Sequence, residues 1–147
     1  MNERIVFTNP DGSVGVIIPT GEIPTNEVMA KDVPTGALNA RLTDITALPA
    51  DRLFRGAWDD SNPENFIGTD LVKAKEIAHE LRRNDREAKM TPLDKEEGFV
   101  STAQARKDAI LVEKQTILDA NAIVQISIDA ALDEAELRTI LISNNIL

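Results

Sequence analysis

The stretch Arg4-Ile5-Val6-Phe7-Thr8-Asn9-Pro10-Asp11-Gly12-Ser13-Val14-Gly15-Val16-Ile17-Ile18 decides the front of the fold. Two β-branched runs flank Asn9 to Ser13, whose Pro, Asp and Gly suit a tight reversal, so the pattern predicts a β-hairpin. Ile5 and Phe7 share one face of the first strand and Val6 takes the other, while Val14, Val16 and Ile18 share one face of the second. An isolated hairpin is marginal in water, so these surfaces must pack on the rest of the chain or on a neighbour.

Downstream, Gly21, Pro24, Pro34 and Gly36 allow only short elements before Pro49. Thr25 or Asn26 is expected to cap one or two helical turns through Val28 and Met29. A third strand at Ala40 to Asp44 would widen the hairpin into a small antiparallel sheet. The polar stretch Asp59 to Asn65 is the expected boundary between a β-rich unit, 1–60, and a helical unit, 66–147. Thr69-Asp70 offers an N-cap for a helix running to about Lys89. Its apolar stripe, Ala74, Ile77, Ala78, Leu81 and Ala88, is narrow, with Arg82 and Arg83 among the flanking charges. Thr91-Pro92 reads as a break and a new start, because proline is tolerated at a first helical position and harmful inside.

A second long helix is expected from Ser101 or Thr102, with Ala103, Ile110 and Ile117 spaced by seven and Leu111 and Leu118 beside them. The two helices most simply form an antiparallel hairpin. Asp133 followed three positions later by Glu136 resembles a capping box for a short final helix through Leu141. The fold class is therefore α+β: an N-terminal β-hairpin or small antiparallel sheet, an antiparallel helical hairpin and a short C-terminal helix.

Composition limits the partners. The 147 residues carry a net charge of −9, with 25 acidic against 16 basic side chains. Nucleic-acid affinity comes largely from Lys and Arg neutralising phosphates, so no nucleic-acid partner is expected. The excess is uneven: Asp70 to Lys114 is balanced, and the acidity belongs to the front and the C-terminal end. Aromatics make up 3% of the chain, which leaves a core of Ile, Leu, Val and Ala and makes the few rings candidate anchors. The opening residues lack a basic segment followed by an apolar core, and no apolar run is long enough to span a bilayer, so no membrane partner is expected.

Catalytic chemistry finds no foothold. Cysteine is absent, which removes disulfides, thiolate metal sites and cysteine nucleophiles. His79 stands alone, with Arg83 where a zincin would need a second histidine, and reads as an exposed helical residue. The acidic pairs match no calcium-loop spacing, and glycine is too sparse for a phosphate loop. The expectation is no enzyme, no catalytic residue, no metal and no cofactor.

The segment Pro49-Ala50-Asp51-Arg52-Leu53-Phe54-Arg55-Gly56-Ala57-Trp58 holds the single Trp. Asp51, Arg52 and Arg55 admit an anion-binding or acid–base reading. In the structural alternative Asp51 caps the turn begun at Pro49, the arginines pair with acidic neighbours, and Phe54 and Trp58, four apart, plug one apolar groove. Arg and Trp are also enriched at interface hot spots, so Asp51, Arg52, Phe54, Arg55 and Trp58 are the expected interaction or structural anchors.

With its surroundings this segment resembles a family of small bacteriophage proteins of poorly defined function found among phage structural genes. The similar parts are Arg4 to Val14, Ala30-Lys31-Asp32-Val33-Pro34-Thr35-Gly36, Pro49 to Trp58, Lys73 to Ile77, Leu81-Arg82-Arg83 and Lys114-Gln115. The pairs Asp51-Arg52, Phe54-Arg55 and Ala57-Trp58 are the specific element. At Ala88 to Pro92 the chain departs from the family pattern, in which the helix carries its proline earlier and continues into a longer hairpin. The resemblance implies a non-enzymatic structural or assembly component of a virion, assembled in the host cytoplasm and associated with the tail as adaptor, decoration or fibre-linked protein. Its partners would be other phage structural proteins and further copies of itself, a homo-oligomer. The alternative is a cytoplasmic phage-encoded interaction or regulatory protein absent from the particle.

Overall fold

The computed structural model describes residues 2–62 and 64–147 and divides into two compact units, Met1–Ala74 and Lys75–Leu147. In the first unit, β1 (Glu3–Thr8) lies at the centre of an antiparallel sheet, flanked by β2 (Val14–Ile17) and β3 (Leu38–Asp44). The register pairs Val6 with Val16 on one side and with Arg41 on the other. Successive side chains point to opposite faces, so burial of Ile5, Val6 and Phe7 alike means that both faces of β1 are covered, the Val6 face by Leu48, Trp58 and Ile67. Thus the hairpin and the third strand form as the sequence pattern implies, with a register irregularity between Val6 and Thr8.

The reversal is built from its own side chains. Asp11 Oδ1 accepts from Ser13 N and Ser13 Oγ at 2.9 and 2.6 Å, and Gly12 takes a φ of +84°, a region that glycine enters without cost. Across the sheet, a Cβ at Gly15 would run into the Phe7 ring, so glycine there lets the aromatic lie flat on the neighbouring strand.

Helix α1 (Thr25–Asp32) starts one residue earlier than a Thr25 cap would place it and two earlier than an Asn26 cap would. Pro24 occupies the cap position, its carbonyl accepting from Glu27 N and Val28 N, and no side chain caps the helix. A 3-10 turn (Ile45–Ala47), capped by the Asp44 carboxylate on Thr46 N, leads to the segment Pro49 to Trp58. Two short strands, β4 (Trp58–Asp59) and β5 (Gly68–Thr69), then pair antiparallel. The polar stretch Asp59 to Asn65, where the sequence places a boundary, contributes to this connection inside the first unit. Pro63 lies outside the described residues.

A non-local ion pair ties these parts together. The Arg41 guanidinium from β3 grips Asp60 with two hydrogen bonds, Nη1 to Oδ2 at 2.8 Å and Nη2 to Oδ1 at 2.6 Å. Thr8 Oγ1 donates to the same carboxylate at 3.1 Å, and Arg41 Nη2 also reaches the Asn65 carbonyl.

The second unit contains most of α2 (Leu71–Gly98), then α3 (Gln104–Ala130) and α4 (Glu134–Ser143). Asp70 caps α2 as expected, Oδ1 accepting from Val72 N and Lys73 N. The expected break at Thr91-Pro92 does not occur: the helix runs through Pro92 to Gly98. Proline removes one hydrogen bond to the Ala88 carbonyl, but Ala88 is exposed and Thr91 Oγ1 bonds the preceding carbonyl, that of Glu87, at 2.8 Å. Beyond Pro92 the helix is held by charge. Lys114 of α3 pairs with Asp94 and Glu97, and Arg106 with Glu96.

Helices α2 and α3 run antiparallel, because partners early in one meet partners late in the other. Lys75 Nζ donates to the Asp129 carbonyl, and Arg82 meets Asn121. The start of α3 is later than Ser101 or Thr102. Thr102 Oγ1 turns back to close α2 by donating to the Glu96 carbonyl at 2.6 Å, and Ala103 takes the cap position without a side-chain bond. The inner face of α3 keeps the spacing of seven through Ile110, Ile117, Val124 and Ala131, whereas Leu111 and Leu118 stay exposed. On α2, Ala74 and Ala78 are fully buried and Ala88 is not. Asp133 caps α4, Oδ1 accepting from Glu136 N at 2.8 Å, while Glu136 Oε2 reaches one residue past the cap and accepts from Leu132 N at 2.7 Å. Leu137 and Leu141 of α4 are fully buried.

The Asp60 pair yields a pH prediction. Hydrogen bonds from Arg41 hold the Asp60 carboxyl below its ordinary value, against the opposing effect of burial. A depressed carboxyl stabilises the fold above its unfolded value, near pH 4, and that contribution is lost as pH falls through the folded value. Asp60→Asn is expected to cost about 2–3 kcal/mol at pH 7 and less at pH 3, where the contribution has begun to fall. Urea titrations at both pH values check this, and an equal cost at the two would contradict it.

Candidate functional site

The segment Asp51 to Trp58 is held by short-range turn hydrogen bonds and enters β4 at Trp58. Asp51 Oδ1 accepts from Leu53 N at 2.9 Å, the Arg52 carbonyl from Arg55 N at 3.2 Å, and the Phe54 carbonyl from Ala57 N at 2.8 Å. Arg55–Ala57 is a 3-10 turn. Phe54 and Ala57 are buried, at 1% and 0% exposure. Arg52, Arg55 and Trp58 form a row, with both arginines exposed and the Trp at 1% exposure.

Each guanidinium carbon lies 5.9 Å from the centroid of the Trp58 ring, within reach of a cation–π attraction. The expected ion pairs between these arginines and acidic neighbours do not form among the described residues. The indole ring holds them instead. Phe54 and Trp58 are both buried, and the turn that joins them is 3-10 rather than α-helical.

Trp58 is fixed from several directions. It packs in a cluster with Val6 of β1, Leu48 and Ile67, and Val14 and Val16 of β2 lie against them. Its backbone pairs with Thr69, the preceding Ala57 carbonyl accepts from Asp70 N at 2.7 Å, and Ile67 N donates to Ala47 O. The indole Nε1 is buried without an acceptor among the described residues.

What this arrangement can do is bind rather than transform. A guanidinium stays protonated at any working pH and offers a planar fork of donors that matches a carboxylate. It supplies neither a base nor a nucleophile. The carboxylate of the segment, Asp51, is committed to shaping the turn. Elsewhere, a groove of about 420 Å³ between α3 and α4 is lined by Ala131, Thr139 and Ile140, with Asp133 and Glu136, which the helix cap uses. No group of three or more His, Asp or Glu side chains among the described residues is placed to hold a metal ion. Among the described residues no helix is long and apolar enough to cross a membrane.

Three polar arrangements carry no local sequence signal. Arg41 and Asp60 meet only because β3 pairs with β1. Arg82, expected among solvated charges, is 6% exposed and donates to the Asn121 side chain, whose Nδ2 reaches the Arg82 carbonyl at 3.4 Å. Burial lowers the pKa of this guanidinium, and Arg86 and Arg83 nearby add to the effect. His79, expected to be exposed, has its side chain 18% exposed, with Nε2 2.9 Å from Asp129 Oδ1. The seven-residue spacing of α3, followed to Ala131, would have placed Asn121 on the inner face.

No protein-family model, no curated protein and no solved structure matches the chain.

Because one indole closes the core of the first unit, Trp58→Ala is expected to cost about 3–5 kcal/mol. Denaturant unfolding followed by circular dichroism measures it, and a loss under about 1 kcal/mol would contradict a packed site.

Proposed function

We propose that this chain is a non-enzymatic structural or assembly component of a bacteriophage virion, associated with the tail as an adaptor, decoration or fibre-linked protein. It works as a homo-oligomer in contact with other phage structural proteins. The resemblance of Arg4 to Val14 and of Pro49 to Trp58 to the phage family supports the setting. The observation that carries the mode of action is the row Arg52, Arg55 and Trp58: two exposed guanidiniums, free of ion pairs among the described residues, braced on a rigid ring.

In a chain of net charge −9 such a pair stands out. It suits a carboxylate-bearing protein surface, where two planar forks give both affinity and orientation. A phosphate backbone would face the acidic remainder of the chain, which opposes binding.

Mass spectrometry of purified particles should find this chain as a stoichiometric component. The double variant Arg52→Glu with Arg55→Glu should fold, keep its Trp emission and lose incorporation at least tenfold. A chain abundant in the infected-cell lysate and absent from particles would replace this reading with the cytoplasmic interaction protein. Undiminished incorporation of the double variant would remove the arginine row from the mechanism.

A further inference from the structure

Helix α3 carries a second seam opposite the one that faces its own hairpin. From Ala105 to Ala130, positions spaced alternately by four and three are all exposed, and all are small or apolar except Thr116 and Asp119 in the middle. Val112, Ile123 and Ile126 in this seam are 67%, 66% and 69% exposed. A four–three spacing is the pattern of a coiled-coil contact, and α3 therefore bears one such pattern on each side. We infer that the outer seam of α3 pairs with the same seam of a second copy of this chain, antiparallel about a two-fold axis. The inference rests on the homo-oligomeric reading above and assigns the surface and symmetry that it requires.

Self-complementarity selects both the occupant and the register. With the axis midway between Thr116 and Asp119, Val112 faces Ile123 of the second copy, Ala109 faces Ile126 and Ala105 faces Ala130, so every layer outside the central polar pair joins apolar to apolar. The two polar residues meet each other. Asp119 Oδ1 accepts from Gln115 at 2.8 Å, which leaves its other oxygen for the Thr116 hydroxyl of the second copy. The Thr116 hydroxyl donates to the Val112 carbonyl at 3.0 Å and rotates to donate across the seam. Sliding the helices by a heptad would set Asp119 against Ile123 or Ala109. A parallel, in-register pair would stack Asp119 on Asp119, a like-charge contact that disfavours that arrangement.

The area sets the strength. The seam is roughly 38 Å long at 1.5 Å per residue, and a helix about 10–12 Å wide gives a footprint of about 400–450 Å² per chain. That lies at the low end of specific interfaces, so the pair is weak by itself and is consolidated by other contacts in an assembly. Leu111 and Leu118, 56% and 41% exposed, lie about 100° around the helix from Val112 and Asp119, between the two seams and outside this contact. Along the border of the seam Asp108 falls opposite Asp129 of the second copy, whose Oδ1 lies 2.9 Å from His79 Nε2 of its own chain. Association should therefore strengthen as salt screens this border.

The chain has no cysteine, so introduced thiols report directly. Full-length Val112→Cys and Ile123→Cys are mixed in equal amounts under oxidised glutathione. The antiparallel register puts these two thiols face to face, while the two copies of either one are about 16 Å apart along the axis, too far for a disulfide. The expected result is a cross-linked dimer in the mixture and at least tenfold less in either variant alone. Sedimentation equilibrium of the unmodified chain should show a weak dimer that Ile123→Glu abolishes, with circular dichroism unchanged. Cross-linking of each single variant as strong as in the mixture, or none anywhere with the fold intact, overturns the inference. Neither outcome bears on the virion reading, which particle mass spectrometry tests separately.

Discussion

The first unit depends on one ring. With aromatics so scarce, Trp58 supplies the bulk that lets the hairpin strands, the connection at Leu48 and the residue Ile67 close on a common core. Burying an indole removes more apolar surface from water than any other single side chain can. The same ring then carries Arg52 and Arg55. Stability and recognition are thus coupled at a single side chain. The arginines keep their placement only while the core holds the indole still, and the turn from Arg52 to Ala57 brings both within reach of it.

The second unit solves a different problem. Its helices are long and their inner stripes thin, since the buried positions of α2 include Ala74 and Ala78. Polar contacts across the hairpin supply the register that apolar packing leaves loose. The buried Arg82–Asn121 contact allows one alignment of α2 on α3, because any slip would strand a desolvated guanidinium without its acceptor. The exposed pairs of Lys114 and Arg106 with α2 hold the helix beyond Pro92, where the backbone has lost a hydrogen bond.

How much of this was legible depended on how local the cause was. Alternating β-branched residues around Pro10-Asp11-Gly12 announce the hairpin, and Asp70 and Asp133 announce helix starts, because each works through neighbours a few residues away. Pro92 misled because the local rule was overridden by solvent at Ala88 and by ion pairs to a distant helix. Thr102 misled in the same way, its hydroxyl serving the helix behind it rather than the one ahead. At the site, the anchor residues were legible as residue types. Their arrangement was not: whether Arg52 and Arg55 reach the Trp58 ring is decided by the hydrogen bonds of the turn. The Arg41–Asp60 bridge has no local cause at all, since strand pairing alone brings it together.

The account stands on the single Trp being a rigid, buried platform, and its emission reads that directly. Native protein should show blue-shifted fluorescence that acrylamide quenches poorly, moving to a solvent-like maximum with ready quenching when urea unfolds the first unit. Emission that is already solvent-like, freely quenched and unchanged by urea would contradict the core and, with it, the placement of both arginines.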